Sequence, residues 1–117
     1  MSQNEKIRAL YVQPGKYPEV IKIPNTLESF QKYVGGDIGY VTLDREAVVI
    51  FNDEGKLIPL PPNRLYGPTD FFAGSFLVCG DGGEDLISLT DSQVKKYEKK
   101  YHSPLIFLEL YPIECRL

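Results

Sequence analysis

The residues best equipped for chemistry sit in the stretch Pro61-Pro-Asn-Arg-Leu-Tyr66. Two prolines restrict the backbone there. Asn63 offers an amide, Arg64 a planar fork of five N–H donors suited to a carboxylate or phosphate held bidentately, and Tyr66 an aromatic face. Asn63, Arg64 and Tyr66 are therefore the candidate binding residues. The competing reading is a proline-stiffened loop in which Asn63 bonds its own backbone and Arg64 pairs with a nearby acid. The residues alone leave both open.

A second concentration of charge, Lys95-Lys-Tyr-Glu-Lys-Lys-Tyr-His102, carries four of the thirteen lysines and arginines. Lysines four apart on a helix repel by roughly a few tenths of a kcal/mol, a cost that binding to nucleic acid would justify, yet lysines near a helix C-terminus also favour its dipole. A solvated face with Tyr97 and Tyr101 turned inward is the preferred reading, so nucleic acid is not the expected partner. His102 reads as a surface or capping residue, because no nucleophile motif stands beside it. The pairs Asp44/Glu46, Asp53/Glu54 and Glu84/Asp85 would make a metal site or an acid–base pair only if the fold gathered them. All three lie in turn-like stretches and read as solvated turn charges.

One histidine and two cysteines, Cys79 and Cys115, cannot supply the four Cys/His ligands of a closed zinc site from a single chain. No GxSxG, P-loop or GxGxxG pattern occurs. The nearest glycine run, Gly80-Asp-Gly-Gly83, is followed by Glu84 and Asp85, which suits a turn and would repel phosphate. The expectation is a protein that is not an enzyme, with no cofactor and no metal.

The elements that must position these residues follow from patterning. The chain has 117 residues, 43% of them hydrophobic and 25% charged, enough for one globular domain over 1–117. Its net charge of −3 gives no overall cationic field for nucleic acid or anionic lipid. The start is polar and the apolar runs are short, so neither a secretory leader nor a membrane span is expected, and a cytoplasmic location with reduced thiols follows. Residues 1–6 read as flexible, and Cys79, in an apolar run, reads as core.

Ile7–Val12 and Glu19–Ile23, joined through Pro14-Gly15, predict a hairpin. Asn25 three residues before Glu28 resembles a capping box, and Leu27, Phe30, Tyr33 and Val34 recur at helical spacing until Gly35-Gly36. Ile38–Leu43 and Ala47–Asn52 predict a second hairpin, Asn52 to Gly55 a turn, and Lys56–Leu60 a short returning strand that the prolines stop. Phe71–Cys79 reads as one buried strand with Gly74 marking a bulge or a close approach. Leu86–Leu89 pairs with it. Thr90 and Gln93 form a capping box for a helix ending at Ser103-Pro104, and Leu105 to Leu117 is a tail or last strand. The fold class is α+β: a mostly antiparallel sheet built from hairpins, with two helices packed on one face and an opening ββαββ that resembles a β-grasp.

Several of these segments, taken in order, resemble one family. They are Val12-Gln-Pro-Gly15, the helix Asn25 to Gly36, Asn52-Asp-Glu-Gly-Lys56, Pro61-Pro-Asn-Arg64, Phe72-Ala-Gly-Ser-Phe-Leu-Val-Cys-Gly80 and Ser88-Leu-Thr-Asp91. The family is domain-of-unknown-function family 3846, small proteins of bacteria, phages and mobile elements, and the resemblance runs from about Ile7 to Tyr101. It implies an accessory protein of a mobile element or phage and carries no activity or catalytic residue. The functional expectation is a non-enzymatic module that binds a protein partner, such as a host defence factor. The alternative is an oligomer that sequesters a small nucleotide-like anion with Asn63, Arg64 and a tyrosine face. Edge strands and exposed aromatics, among eight tyrosines and six phenylalanines, would permit a homo-oligomer.

Overall fold

A computed structural model describes residues 5–44, 46–55, 57, 60–66 and 70–104, with backbone alone for Asp44 and Tyr66. The elements in chain order are β1 (Lys6–Val12), β2 (Glu19–Pro24), α1 (Leu27–Val34), β3 (Ile38–Asp44), β4 (Ala47–Asn52), β5 (Pro62–Tyr66), β6 (Asp70–Ala73), β7 (Phe76–Asp81), β8 (Leu86–Ile87) and α2 (Asp91–Lys100). The main sheet runs β2-β1-β7-β4-β3, with β8 beside the end of β7, and β5 and β6 form a separate ribbon. Every strand pair is antiparallel. The α+β class and the opening ββαββ order stand as read, but the two opening hairpins do not pair with each other. β7 lies between them, matching Leu10 with Val78 on one side and Val49 with Val78 on the other.

The helices lie on opposite faces of the sheet, where the sequence reading had them on one. Period-2 alternation explains the difference, because β1, β4 and β7 are apolar at nearly every position and so need cover on both sides. Ala9, Val48, Ile50 and Leu77 pack under Phe30 and Val34 of α1. Their neighbours Leu10, Val49, Phe76 and Val78 pack under Leu89, Tyr97 and Tyr101 at the other face.

Local chemistry fixes the helix ends. Thr26, not Asn25, caps α1: its backbone is extended at φ −136° and its side chain accepts from the Ser29 N–H at 3.2 Å. Asn25 instead donates its amide to the Leu86 carbonyl at 2.8 Å. α2 starts with the expected box, Thr90 Oγ1 accepting from the Gln93 N–H at 3.1 Å and Gln93 Oε1 from the Thr90 N–H at 2.8 Å. Arg8 adds a tie across the sheet, donating through Nε and Nη2 to the Leu89 carbonyl and through Nη1 to Asp91 at 2.8 Å.

Two readings change around Gly74. The run 71–79 divides there into β6 and β7, which join different sheets, because Gly74 takes φ +81° and redirects the chain. Pro61-Pro62 does not end in a loop: Pro62 opens β5, the strand position where a missing N–H is tolerated. Leu57 and Leu60 lie outside any strand, while Lys56, Ile58 and Pro59 fall outside the described residues, as do residues 1–4 and the tail 105–117. No helix is long and apolar enough to cross a membrane among the described residues.

A side chain at Gly74 would be held left-handed, and its Cβ would stand 2.6 Å from Leu60 Cδ1. Gly74→Ala is expected to lower the urea midpoint by the equivalent of about 1–2 kcal/mol, the ordinary cost of that backbone region for an L-residue.

Candidate functional site

Asn63 and Arg64 are placed inside the molecule. The register of β5 on β6 slips between Pro62 and Arg64, and a slip of that kind leaves one residue outside the ladder and re-aims its side chain. Asn63, fully buried, donates its amide to the Val12 and Gly74 carbonyls, both at 2.9 Å. Arg64, only 3% exposed, donates Nε to the Tyr101 carbonyl at 2.8 Å, Nη1 to Asn63 Oδ1 at 2.7 Å, and Nη2 to the Lys16 carbonyl at 2.5 Å. The pair therefore joins β1, the β1–β2 turn, the β6–β7 corner and the end of α2.

The expected partner of Arg64 was an acid, yet its acceptors are carbonyls and an amide oxygen. Among the described residues the one ion pair is Arg8 with Asp91. Burial lowers the Arg64 pKa from its ordinary value. Tyr101 is the residue that ends α2, so the guanidinium sits at the partial negative charge of a helix C-terminus, which offsets part of the cost of burying a cation. The geometry leaves Asn63 and Arg64 no exposed fork with which to hold a ligand, and the Tyr66 side chain lies outside the described residues.

The remaining candidates separate. Tyr97 and Tyr101 are buried and Lys95, Lys96, Lys99 and Lys100 are exposed, as the solvated-face reading requires. His102 is exposed and stacks on Tyr17 with ring centroids 4.8 Å apart. Asn52 is a turn residue, accepting from the Glu54 N–H at 2.8 Å and donating to the Val34 carbonyl at 3.2 Å. No three side chains among the described residues are grouped to hold a metal. Cys79 is buried and free, and burial raises its thiol to about 12.

The open surface lies instead along β3, an edge strand among the described residues. The Asp53 N–H bonds the Asp37 carbonyl at 2.9 Å, which sets the phase of the ladder: residues 39 and 41 face β4, and the main-chain groups of Ile38, Tyr40 and Thr42 point away from the sheet. Tyr40 is 69% exposed and stands between two cavities. One, of about 390 Å³, lies on the β5–β6 side among Val41, Phe51, Phe71 and Phe72, with Asp53 and Asp70 at its wall. The other, of about 440 Å³, lies on the α1 side between Leu27, Phe30, Ile38 and Val48, with Asp81, Glu84 and Asp85. Leu27 at its border is 56% exposed.

Among the described residues, each charged residue lining the two cavities is an acid. Asp81 is engaged with the Gly83 N–H at 2.9 Å, so Gly80-Asp-Gly-Gly83 forms the turn it was read as. Glu84 and Asp85 extend beyond it, exposed. Tyr40 and Leu27 were missed as site residues. For Tyr40 the signal was present in outline, a six-residue run from Ile38 to Leu43 with neither charge nor proline, but which strand becomes an edge is decided by pairing over long separations.

Residues 7–102 match the family model described as a domain of unknown function (DUF3846), and the chain belongs to that family. No curated protein and no solved structure matches it.

Replacing Arg64 by methionine strands the Tyr101 and Lys16 carbonyls and is expected to destabilise the fold by on the order of 3 kcal/mol in urea unfolding. The Cys79 thiol, raised by burial from 9.0 to about 12, favours the folded state while it is protonated. Its contribution is complete below pH 9 and is lost as the pH climbs toward 12. Stability of the wild type should therefore fall more steeply than that of Cys79→Ala across this window, measured by chemical unfolding at several pH values.

Proposed function

We propose that this member of the DUF3846 family is a non-enzymatic module that binds another protein. The observation that carries the reading is the surface around Tyr40 and Leu27, where exposed apolar side chains border two cavities lined by acids. Surface aromatic and aliphatic groups beside a concave, polar-rimmed patch are the arrangement that protein partners bury. The one cysteine among the described residues agrees, since the Cys79 thiol is buried and raised to about 12. We further propose an accessory role in a phage or mobile element, with a host defence factor as the target.

A small nucleotide-like anion fits less well. Its expected grip, Arg64, is spent on internal acceptors, and the cavity walls carry carboxylates that repel it.

Native mass spectrometry of the protein isolated from cells that naturally produce it should show a stoichiometric protein partner. The double variant Leu27→Ser/Tyr40→Ala should lose that partner, whereas Lys95→Gln/Lys99→Gln should keep it. Turnover of a substrate by the purified protein, abolished by one substitution, would overturn the reading.

A further inference from the structure

We propose that the open edge of β3 accepts an extended segment of the partner as an added strand, and that this segment alternates apolar with basic residues. The proposal rests on the protein-binding reading above and specifies how that surface is used.

An edge strand presents unpaired main-chain groups, and stable proteins blunt such edges with proline, inward charge or lysine. The opposite edge of this sheet is blunted in that way, since β2 carries Lys22 and ends at Pro24. β3 is blunted at its end alone, where the register shifts between Thr42 and Asp44, and over Ile38-Gly-Tyr-Val-Thr-Leu43 it has no proline and no charge. The ladder phase leaves the N–H and C=O groups of Ile38, Tyr40 and Thr42 directed outward. Those three residues offer donors and acceptors in the spacing that a complementary strand requires.

Gly39 lies in close contact with its neighbouring strand. A Cβ there would lie 2.8 Å from Asp53 Oδ1 and 3.0 Å from Phe51 Cζ. The Phe51 ring of the paired strand thus covers the glycine and forms part of the wall of the β5–β6-side cavity.

Side chains of an added strand alternate between the faces of the sheet. One set enters the cavity walled by Val41, Phe51, Phe71 and Phe72, which suits apolar residues. The other set meets the α1-side cavity, where lysine or arginine stems lie along Leu27 and Ile38 and their heads reach Glu84 and Asp85. Charge complementarity decides between occupants. A second copy pairing edge to edge would bring the same acids together, whereas a basic segment neutralises them.

The test uses two synthetic peptides, KVKVKVK and EVEVEVE, titrated against the full chain by calorimetry. The basic peptide should bind, the acidic one at least about tenfold more weakly, and added salt should weaken the basic complex. Thr42→Pro deletes an outward N–H that β4 does not use, so it should reduce affinity at least about tenfold while leaving the melting transition nearly unchanged. A KVKVKVK peptide N-methylated at alternate residues repeats the test on wild-type protein, whatever the variant does to folding. Basic peptide binding that survives both Thr42→Pro and N-methylation overturns strand addition and leaves the protein-binding reading intact. Equal binding of both peptides, or of neither, overturns the charge and strand assignments together. A natural complex that forms independently of Tyr40 and Leu27 would instead remove the underlying reading.

Discussion

A buried guanidinium and the amide bonded to it, holding four parts of the chain together, are the constraint on which the architecture depends. Arg64 and its neighbour Asn63 reach the last residue of β1, the β1–β2 turn, the corner at Gly74 and the end of α2. None of these contacts joins residues of one secondary element. They tie the small β5–β6 ribbon to the large sheet where strand pairing does not. No buried side-chain polar atom among the described residues lacks a hydrogen bond, which matters most for a cation, because a partly satisfied polar network costs more than an apolar one. Carbonyl acceptors at a helix terminus serve here in place of a carboxylate.

With both faces of the main sheet covered, lateral growth is left only to its two edges. α1 seals one face through Phe30 and Val34, and Tyr97 with Tyr101 seals the other beside Phe72 and Phe76. Phe76 is the hub of the second side, its ring 4.7 Å from that of Phe72 and 5.2 Å from that of Tyr101. The cavities flanking β3 arise because these covers thin out toward the last strand. α1 packs chiefly on β4 and β7 and less on β3, and the β5–β6 ribbon leans toward β4. The exposed position of Tyr40 is thus a consequence of where the covering elements end.

Local order was legible in the sequence, and partnership across the fold was not. Thr90 with Gln93, the turns at Pro14-Gly15 and Asp81 to Gly83, and Gly35 as the α1 terminator are decided within a few residues, and each was read correctly. Asn25 was misjudged as a cap by one position because its amide answers a carbonyl sixty residues away, at Leu86. Arg64 was legible as a strong multidentate donor. Its destination was not, since the acceptors are main-chain carbonyls of Lys16 and Tyr101, far from it in sequence and of a kind every residue carries. A side chain well suited to grip a ligand is equally well suited to grip the backbone, and only burial tells the two apart.

The placement of β7 also sets an order of events in folding. Each opening hairpin can form by itself from neighbouring residues, but the sheet remains in two pieces until β7 arrives to pair with β1 and β4 together. Leu10 must meet Val78 and Ala47 must meet Gly80, closures across long loops that slow the search. On a ribosome the first half of the chain would therefore emerge as separate hairpins with apolar flanks uncovered. Consolidation waits for β7, which follows both hairpins in the chain.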